Sequence, residues 1–439
     1  MANWTIALST LYMARTLEPK FTIKNLLLHK KALKNQKLNN MKLLTTDKKN
    51  EVLQSMIDEL DKNRASIIAA NKKDLKAFTG DDQALYDRLV VDEAKVDDMI
   101  RAVKEVKAQE DPVGKTISED TLSNGLNITN KTAPFGTIMI IYESRPDVTI
   151  EAAVLAFKAN NKILLKGGKE AHNSNEELVK CWHKALEKNG LDQDWIQYLK
   201  MNRETTQAFL RNPDQPLDLI VPRGGERLIN FVKEHAKCAV LVSGRGNNFA
   251  YVAPDADTEK VIPVIVNAKT DKISGCNALD KILIDKNHPH FESIAKKIES
   301  ELTKHDIHVI ASDDLLGVLE TKDNISDKSV WHEEFLAKKA AMGTIEGLES
   351  AIDFINTYSG GHSNIILTEN KDDAATFMEQ IDSAAVYHNA STRFTDGGQM
   401  GVGAELAIST DKLHHRGPLG LKQLVTNKYH VVGSGQVRV

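Results

Sequence analysis

The stretch Lys162–Lys180, KILLKGGKEAHNSNEELVK, joins an apolar run to two glycines and then to a helix-prone segment. A short apolar run rich in branched residues suits a strand buried on both faces. Gly167 and Gly168 let a ligand approach the backbone, and the following helix would present its N-terminus there. Residues 217–235, LDLIVPRGGERLINFVKEH, repeat the plan, with Gly224 and Gly225 at the turn. Neither segment is a GxGxxG or GxxxxGK[ST] fingerprint. On composition alone, each turn serves equally well as a plain connection.

Similar runs occur at 136–142, 238–242, 249–253, 280–284, 308–311, 364–368 and 384–388, many separated by ten or more helix-prone residues. Such alternation predicts an α/β fold of parallel sheets covered by helices. On the N-terminal side, Val52, Met56 and Leu60 recur at helical spacing with Leu53 and Ile57 beside them. Thr46 or Asp47 is the expected cap. Two further helical stretches are expected up to Gln109. Asn124-Gly125 between β-prone runs predicts a hairpin.

The chain has 439 residues, too many for one core, with 41% hydrophobic and 27% charged residues. A net charge of -4 excludes the basic surplus of a nucleic-acid binder. No uncharged apolar run is long enough to predict a membrane span. The first forty residues carry six Lys, one Arg and one Glu, a net of +6 that leaves -10 for the rest. Residues 1–41 are therefore expected to be a basic leader, disordered or an over-extended start.

Three cysteines make no disulfide framework and suit a reducing cytoplasm. Cys181 shares a helix face with Leu178, Trp182 and Ala185, and Cys238 opens an apolar run. Cys276 sits in ISGCNAL, small and polar, where backbone N–H groups and Lys272 would favour a thiolate. Its neighbours alone leave nucleophile and buried hydrophobe both open. The loop NASTRFTDGGQMGVGAELAIST, with Ser391, Arg393 and five glycines, could hold a small anion or lie on the surface. His414 and His415 are adjacent and share no helix face, so no metal site is expected.

Several of these segments together resemble the aldehyde dehydrogenase superfamily, and most closely its γ-glutamyl phosphate reductase branch. IIYESRP, LLKGGKE, PRGG, VNAKT, a CNA cysteine motif, STRFTDGGQ and RGPLGL occur in the branch's order across residues 42–439. The resemblance implies two parallel-sheet α/β domains and a small β oligomerisation flap. An NADPH-binding domain would span 42–262, interrupted by a hairpin at about 117–135. A catalytic domain would span 263–424, part of it returning to the cofactor domain, and the tail 425–439 would join the flap of a homo-oligomer.

It further implies reduction of L-glutamyl 5-phosphate by NADPH to glutamate 5-semialdehyde with release of phosphate. That is a cytoplasmic step of proline biosynthesis, functionally coupled to glutamate 5-kinase. Cys276 would be the nucleophile, with oxyanion donors among its own N–H, Asn277 and Ser144. Lys166, Gly167, Gly168, Lys169, Gly224, Gly225 and Glu334 would hold the cofactor. Arg145, Ser391 and Arg393 would hold the substrate, one arginine on the phosphate and the other on the α-carboxylate.

Hydrolytic relatives carry a glutamate base where this chain has Val242, which favours acyl-phosphate chemistry over an acid-forming dehydrogenase. An inactive nucleotide-binding homologue is the remaining alternative. The chain departs from the branch in Gly275 before the cysteine, where the branch has Pro-Ser, and in lacking a histidine near residues 247–249.

Overall fold

A computed structural model describes residues 42–80 and 83–438. The leader expected over 1–41 lies outside the described residues. Among the described residues, those of 44–212 and 217–438 belong to one compact unit.

Among the described residues the first helix is Thr46–Lys62, which buries Val52, Leu53, Met56, Ile57 and Leu60. Its cap is Thr45, one residue before the expected position. The Thr45 side chain accepts from the Lys48 N–H, whereas Thr46 is drawn away to Asp111 at 3.0 Å. Helices Arg64–Ala77, Gln83–Leu89 and Glu93–Ala108 follow, one more than expected.

Strands β1 (Thr116–Thr121) and β2 (Asn127–Pro134) form an antiparallel hairpin. Gly125 turns it with φ +84°, a conformation that suits glycine. The first parallel sheet contains β3 (Thr137–Tyr142), β4 (Lys162–Lys166), β5 (Ile196–Tyr198), β6 (Leu219–Arg223) and β7 (Ala239–Val240). Its order is β5-β4-β3-β6-β7.

The second sheet contains β8 (Asn248–Val252), β9 (Leu279–Asp285), β10 (His308–Ala311), β11 (Lys339–Ile345), β12 (Ser363–Leu367) and β13 (Ala385–His388), in the order β10-β11-β9-β8-β12-β13. Two such sheets, covered by helices, are the α/β architecture that the alternating pattern implied. Strands β14 (Glu405–Ser409) and β15 (Gly417–Gly420) pair with each other. Strand β16 (Val425–Val432) pairs antiparallel with β2 and completes a three-stranded sheet with the hairpin.

All six residues of β3 and all seven of β9 are buried. In β9 the burial includes Asp280 and Lys281, so charges must be matched inside the core. Lys269 meets Asp280 at 2.7 Å, and Lys281 donates to the Glu333 carbonyl at 2.7 Å beneath the Phe335 ring. No helix among the described residues is long and apolar enough to cross a membrane.

Candidate active site

Cys276 lies in the turn between the helix Thr258–Thr270 and β9. One side chain fixes the backbone of that turn. Asn248, fully buried at the start of β8, donates to the Cys276 carbonyl at 2.8 Å and to the Ala278 carbonyl at 2.7 Å. The Asn248 side-chain amide oxygen in turn accepts from the Ser363 N–H at 3.0 Å. The loop 241–247 presses on the turn from another side. A Cβ at Gly246 would stand 1.9 Å from the Cys276 carbonyl oxygen, so only glycine permits the approach.

Asn277 is held by the loop after β13. Its amide nitrogen donates to the Thr395 and Arg393 carbonyls at 2.9 and 3.3 Å, and its amide oxygen accepts from the Arg393 guanidinium. Thr392 donates its hydroxyl to the Asn277 carbonyl at 2.6 Å. Both amide hydrogens of Asn277 are thus spent on fixing the turn. Ser391 caps the short turn 392–394, its hydroxyl accepting from the Arg393 N–H. Arg393 also pairs with Asp271 at 2.8 Å. A Cβ at Gly275 would crowd the Asn277 amide oxygen at 2.9 Å and the Arg393 guanidinium at 3.2 Å, which accounts for the small residue there.

Burial pushes the Cys276 thiol up to about 11. The Arg223 guanidinium opposes that rise, while Glu334 and Glu405 add to it. Glu334 accepts from the Gly246 N–H at 2.9 Å, and Glu405 from the Gly397 N–H at 2.9 Å. Burial raises both carboxyls. His362 is buried beside them, lowered to about 4 by burial. Its Nδ1 meets the Ser363 hydroxyl at 2.8 Å, from which hydroxyl contacts of 2.7 Å run through Thr395 to Tyr387. Its Nε2 has no partner among the described residues.

Arg145 stands just beyond β3, paired with Asp147 at 3.2 Å and Glu151 at 3.8 Å, and within electrostatic reach of Cys276. Ser144 points elsewhere. Its N–H and its hydroxyl both donate to one Glu170 oxygen at 2.9 Å, which ties it to the Gly167–Gly168 turn. Lys166 donates to the Gly167 carbonyl at 2.8 Å, and burial lowers its ammonium. Lys169 is exposed at the start of the turn. A Cβ at Gly167 would meet the Asn175 amide at 2.2 Å, and one at Gly168 the Glu170 carboxylate at 1.9 Å.

At the second glycine pair, Gly225 precedes the helix Glu226–His235 and donates its N–H to Glu143 at 3.3 Å. That helix has no side-chain cap, and a Cβ at Gly225 would meet nothing within 4 Å. An uncapped helix start facing open space could receive an anionic group.

The structure thus brings Cys276, Asn277, Ser391 and Arg393 into one bonded cluster, with Glu334 and Arg145 within electrostatic reach of the thiol. It gathers Ser144, Lys166, Gly167, Gly168 and Lys169 at a separate turn, and Gly224 and Gly225 at a third. Sequence reasoning missed Asn248, Arg223, Glu405 and His362. Arg223 had a signal, because it lies inside the quoted PRGG, where the glycines drew the reading. Among the described residues, no three His, Cys, Asp or Glu side chains converge on a metal-sized site. His414 and His415 instead bond to the Gln423 and Pro418 carbonyls.

The aldehyde dehydrogenase family profile matches residues 28–309. The chain is 40% identical over 401 residues to γ-glutamyl phosphate reductase 2 of Bacillus licheniformis, covering 91% of this chain and 94% of that one. It is 41% identical over 416 residues to γ-glutamyl phosphate reductase of Nitratiruptor, covering 92% of this chain and 99% of that one. Its structure matches the crystal structure of γ-glutamyl phosphate reductase from Thermotoga maritima with a TM-score of 0.87 at 38% identity, covering 94% of this chain and all of that one.

Proposed function

Given that this chain belongs to the aldehyde dehydrogenase family, and within it to the γ-glutamyl phosphate reductases, we propose that it reduces L-glutamyl 5-phosphate to glutamate 5-semialdehyde through a thioacyl intermediate on Cys276. The observation that carries the mechanism is the clamped cysteine turn. Of the three free cysteines, only Cys276 has a guanidinium as the chief charge opposing its burial. A thiolate formed there is held at a fixed place by Asn248 and by the 391–396 loop.

The Cys276 sulfur attacks the acyl carbon, the C–O bond to phosphate breaks, and the thiol proton leaves with the phosphate. NADPH, when bound, supplies the hydride that takes the acyl carbon to the aldehyde level. The Cys276 backbone N–H is assigned as the donor that meets the oxyanion. Asn277 serves by fixing the turn, since its N–H groups are taken. Ser144 serves the cofactor turn through Glu170.

Lys166, Gly167, Gly168 and Lys169 receive the adenosine end of NADPH, the helix start at Gly224-Gly225 its pyrophosphate, and Glu334 the nicotinamide ribose. Val242 provides no carboxylate to activate water, which protects the intermediate from hydrolysis. The first parallel sheet and its helices form the cofactor half, and the second sheet carries the catalytic turn.

The three-stranded sheet of β1, β2 and β16 exposes Ile117, Tyr429, Val431 and Val432, which suits a contact between subunits of a homo-oligomer. The free cysteines agree with a reducing cytoplasm, where the reaction takes up the product of glutamate 5-kinase in proline biosynthesis.

The test runs the reaction in reverse. NADP⁺ reduction with glutamate semialdehyde should require phosphate or arsenate and vanish in Cys276→Ala. Full turnover without either anion would instead indicate an acid-forming dehydrogenase.

A further inference from the structure

Arg145 and Arg223 emerge from neighbouring strands at the same end of the first sheet. Tyr142, the last residue of β3, is in register with Arg223, the last residue of β6, and Arg145 follows three residues later. A chain of contacts carries this edge to the nucleophile. Arg223 donates to the Leu406 carbonyl at 2.6 Å. The adjacent Glu405 holds the Gly397 N–H, and Thr395, two residues before, holds Asn277. Both guanidiniums lie within electrostatic reach of the Cys276 thiol and of each other.

The arginines differ in what remains free on them. Arg145 is paired with Asp147 and Glu151, and Arg393 with Asp271 and Asn277. Among the described residues, Arg223 meets one acceptor, the Leu406 carbonyl, and no carboxylate closely enough for an ion pair. Arg223 is only partly buried, and among the described residues no ion pair occupies its remaining N–H groups. Two like charges side by side, one of them unpaired, leave a place for a multiply charged anion.

We infer that Arg223 binds the leaving phosphate opposite Arg145, and that Arg393 with Lys272 receives the α-carboxylate. The inference rests on the acyl-phosphate reading above. The phosphate oxygen is bonded to the carbon that the sulfur attacks, so the phosphate must sit beside the thiol. Arg145 and Arg223, at the same end of the sheet and within electrostatic reach of the thiol, therefore serve it. When the C–S bond forms, the electron pair of the breaking C–O bond goes to the phosphate oxygen, where the bidentate guanidinium meets the growing charge. The α-carboxylate lies at the other end of the substrate. Among its charged neighbours Lys272 feels Arg145 most, then Arg393, Lys95 and Arg88, so it is within reach of both ends, and Arg88 is anchored to the Ser274 carbonyl at 3.2 Å.

The experiment measures reverse turnover with phosphate and semialdehyde varied separately, and the protection of Cys276 from iodoacetamide by inorganic phosphate. Arg223→Met should raise the phosphate KM at least tenfold, leave the semialdehyde KM within about twofold, and abolish phosphate protection. Arg393→Met should do the reverse. Arg223→Lys, checked for folding by circular dichroism, should restore part of the phosphate affinity and keeps the test open if the Met variant misfolds. A wild-type phosphate KM and intact protection in folded Arg223 variants would overturn the inference while the acyl-phosphate reading stands. Absence of phosphate-dependent turnover in the wild type would instead remove that reading itself.

Discussion

Asn248 and Cys276 are joined by a bond that makes no use of the thiol: the Asn248 amide nitrogen donates at 2.8 Å to the Cys276 carbonyl and, at 2.7 Å, to that of Ala278. The position of the nucleophile is thus set from a neighbouring strand. Asn248→Ala leaves two carbonyls without their donor, at roughly 1–3 kcal/mol for each buried orphan. It should lower stability in urea titration by about 2–6 kcal/mol. Because small misplacements of reacting atoms cost on the order of 100-fold, kcat should fall by at least that factor in protein that remains folded. A variant with lowered stability and unchanged kcat would mean that the turn holds itself.

The thiol should behave as a weak acid. Burial, with Glu334 and Glu405, holds Cys276 up to about 11, so thiolate is scarce at neutral pH. Alkylation by iodoacetamide, followed on the Cys276 peptide by mass spectrometry, should climb steadily from pH 7 to pH 10 without levelling. Removing a negative neighbour favours the charged form, so Glu405→Gln should bring the plateau to lower pH. Removing the positive Arg223 should send it higher. A plateau near pH 8 in the wild type would contradict this account.

How far these features were legible can be judged from particular residues. Lys162–Lys166 and His308–Ala311 were expected as strands and are strands with the same limits, because branched apolar residues fill both runs. Strand β11 was invisible: its Ala340, Ala341, Met342 and Gly343 give no β-prone signal, and it forms because β9 and β10 flank it. In the site, Cys276 and Arg393 stood out by chemistry, and the structure bonds the neighbour of one to the other. Asn248 and His362 did not stand out. Asn248 acts through residues 28 to 115 positions away, and His362 feels Glu334 and Glu405, relations that no local pattern encodes. Arg223 was hidden by its own glycines.

The buried charges under β9 make a pH-dependent contribution to stability. Burial depresses the Lys281 ammonium from its usual value to about 7. Between pH 7 and 10.5 the unfolded chain therefore binds more protons at this site than the folded one. The cost of burying Lys281 is full below pH 7 and fades as pH rises through that window. The stability of wild type relative to Lys281→Met should increase with pH by up to about 1.4 kcal/mol per unit. Urea titrations of both proteins at pH 7.5 and 9.5 give the comparison. A difference that stays constant would show that Lys281 keeps its proton throughout.

Gly246 and Gly275 flank the nucleophile from two sides and should respond unequally to the same added methyl. At Gly246 the methyl would fall 1.9 Å from the Cys276 carbonyl oxygen and 2.5 Å from its Cα. These are backbone atoms already fastened by Asn248, so the loop or the turn must move. At Gly275 the nearest atoms are the ends of the Asn277 and Arg393 side chains, at 2.9 and 3.2 Å, with the Lys272 carbonyl also at 3.2 Å. Side-chain ends can shift by tenths of an ångström. Gly246→Ala should therefore cost about 1–3 kcal/mol in overpacking and reduce kcat by roughly 100-fold. Gly275→Ala should leave most of the stability and act mainly on the semialdehyde KM, through the displaced Arg393 guanidinium. Thermal melts and reverse-reaction kinetics on the two variants decide the matter: equal losses at both glycines would show that the turn, and not the Gly246 loop, is the element that yields.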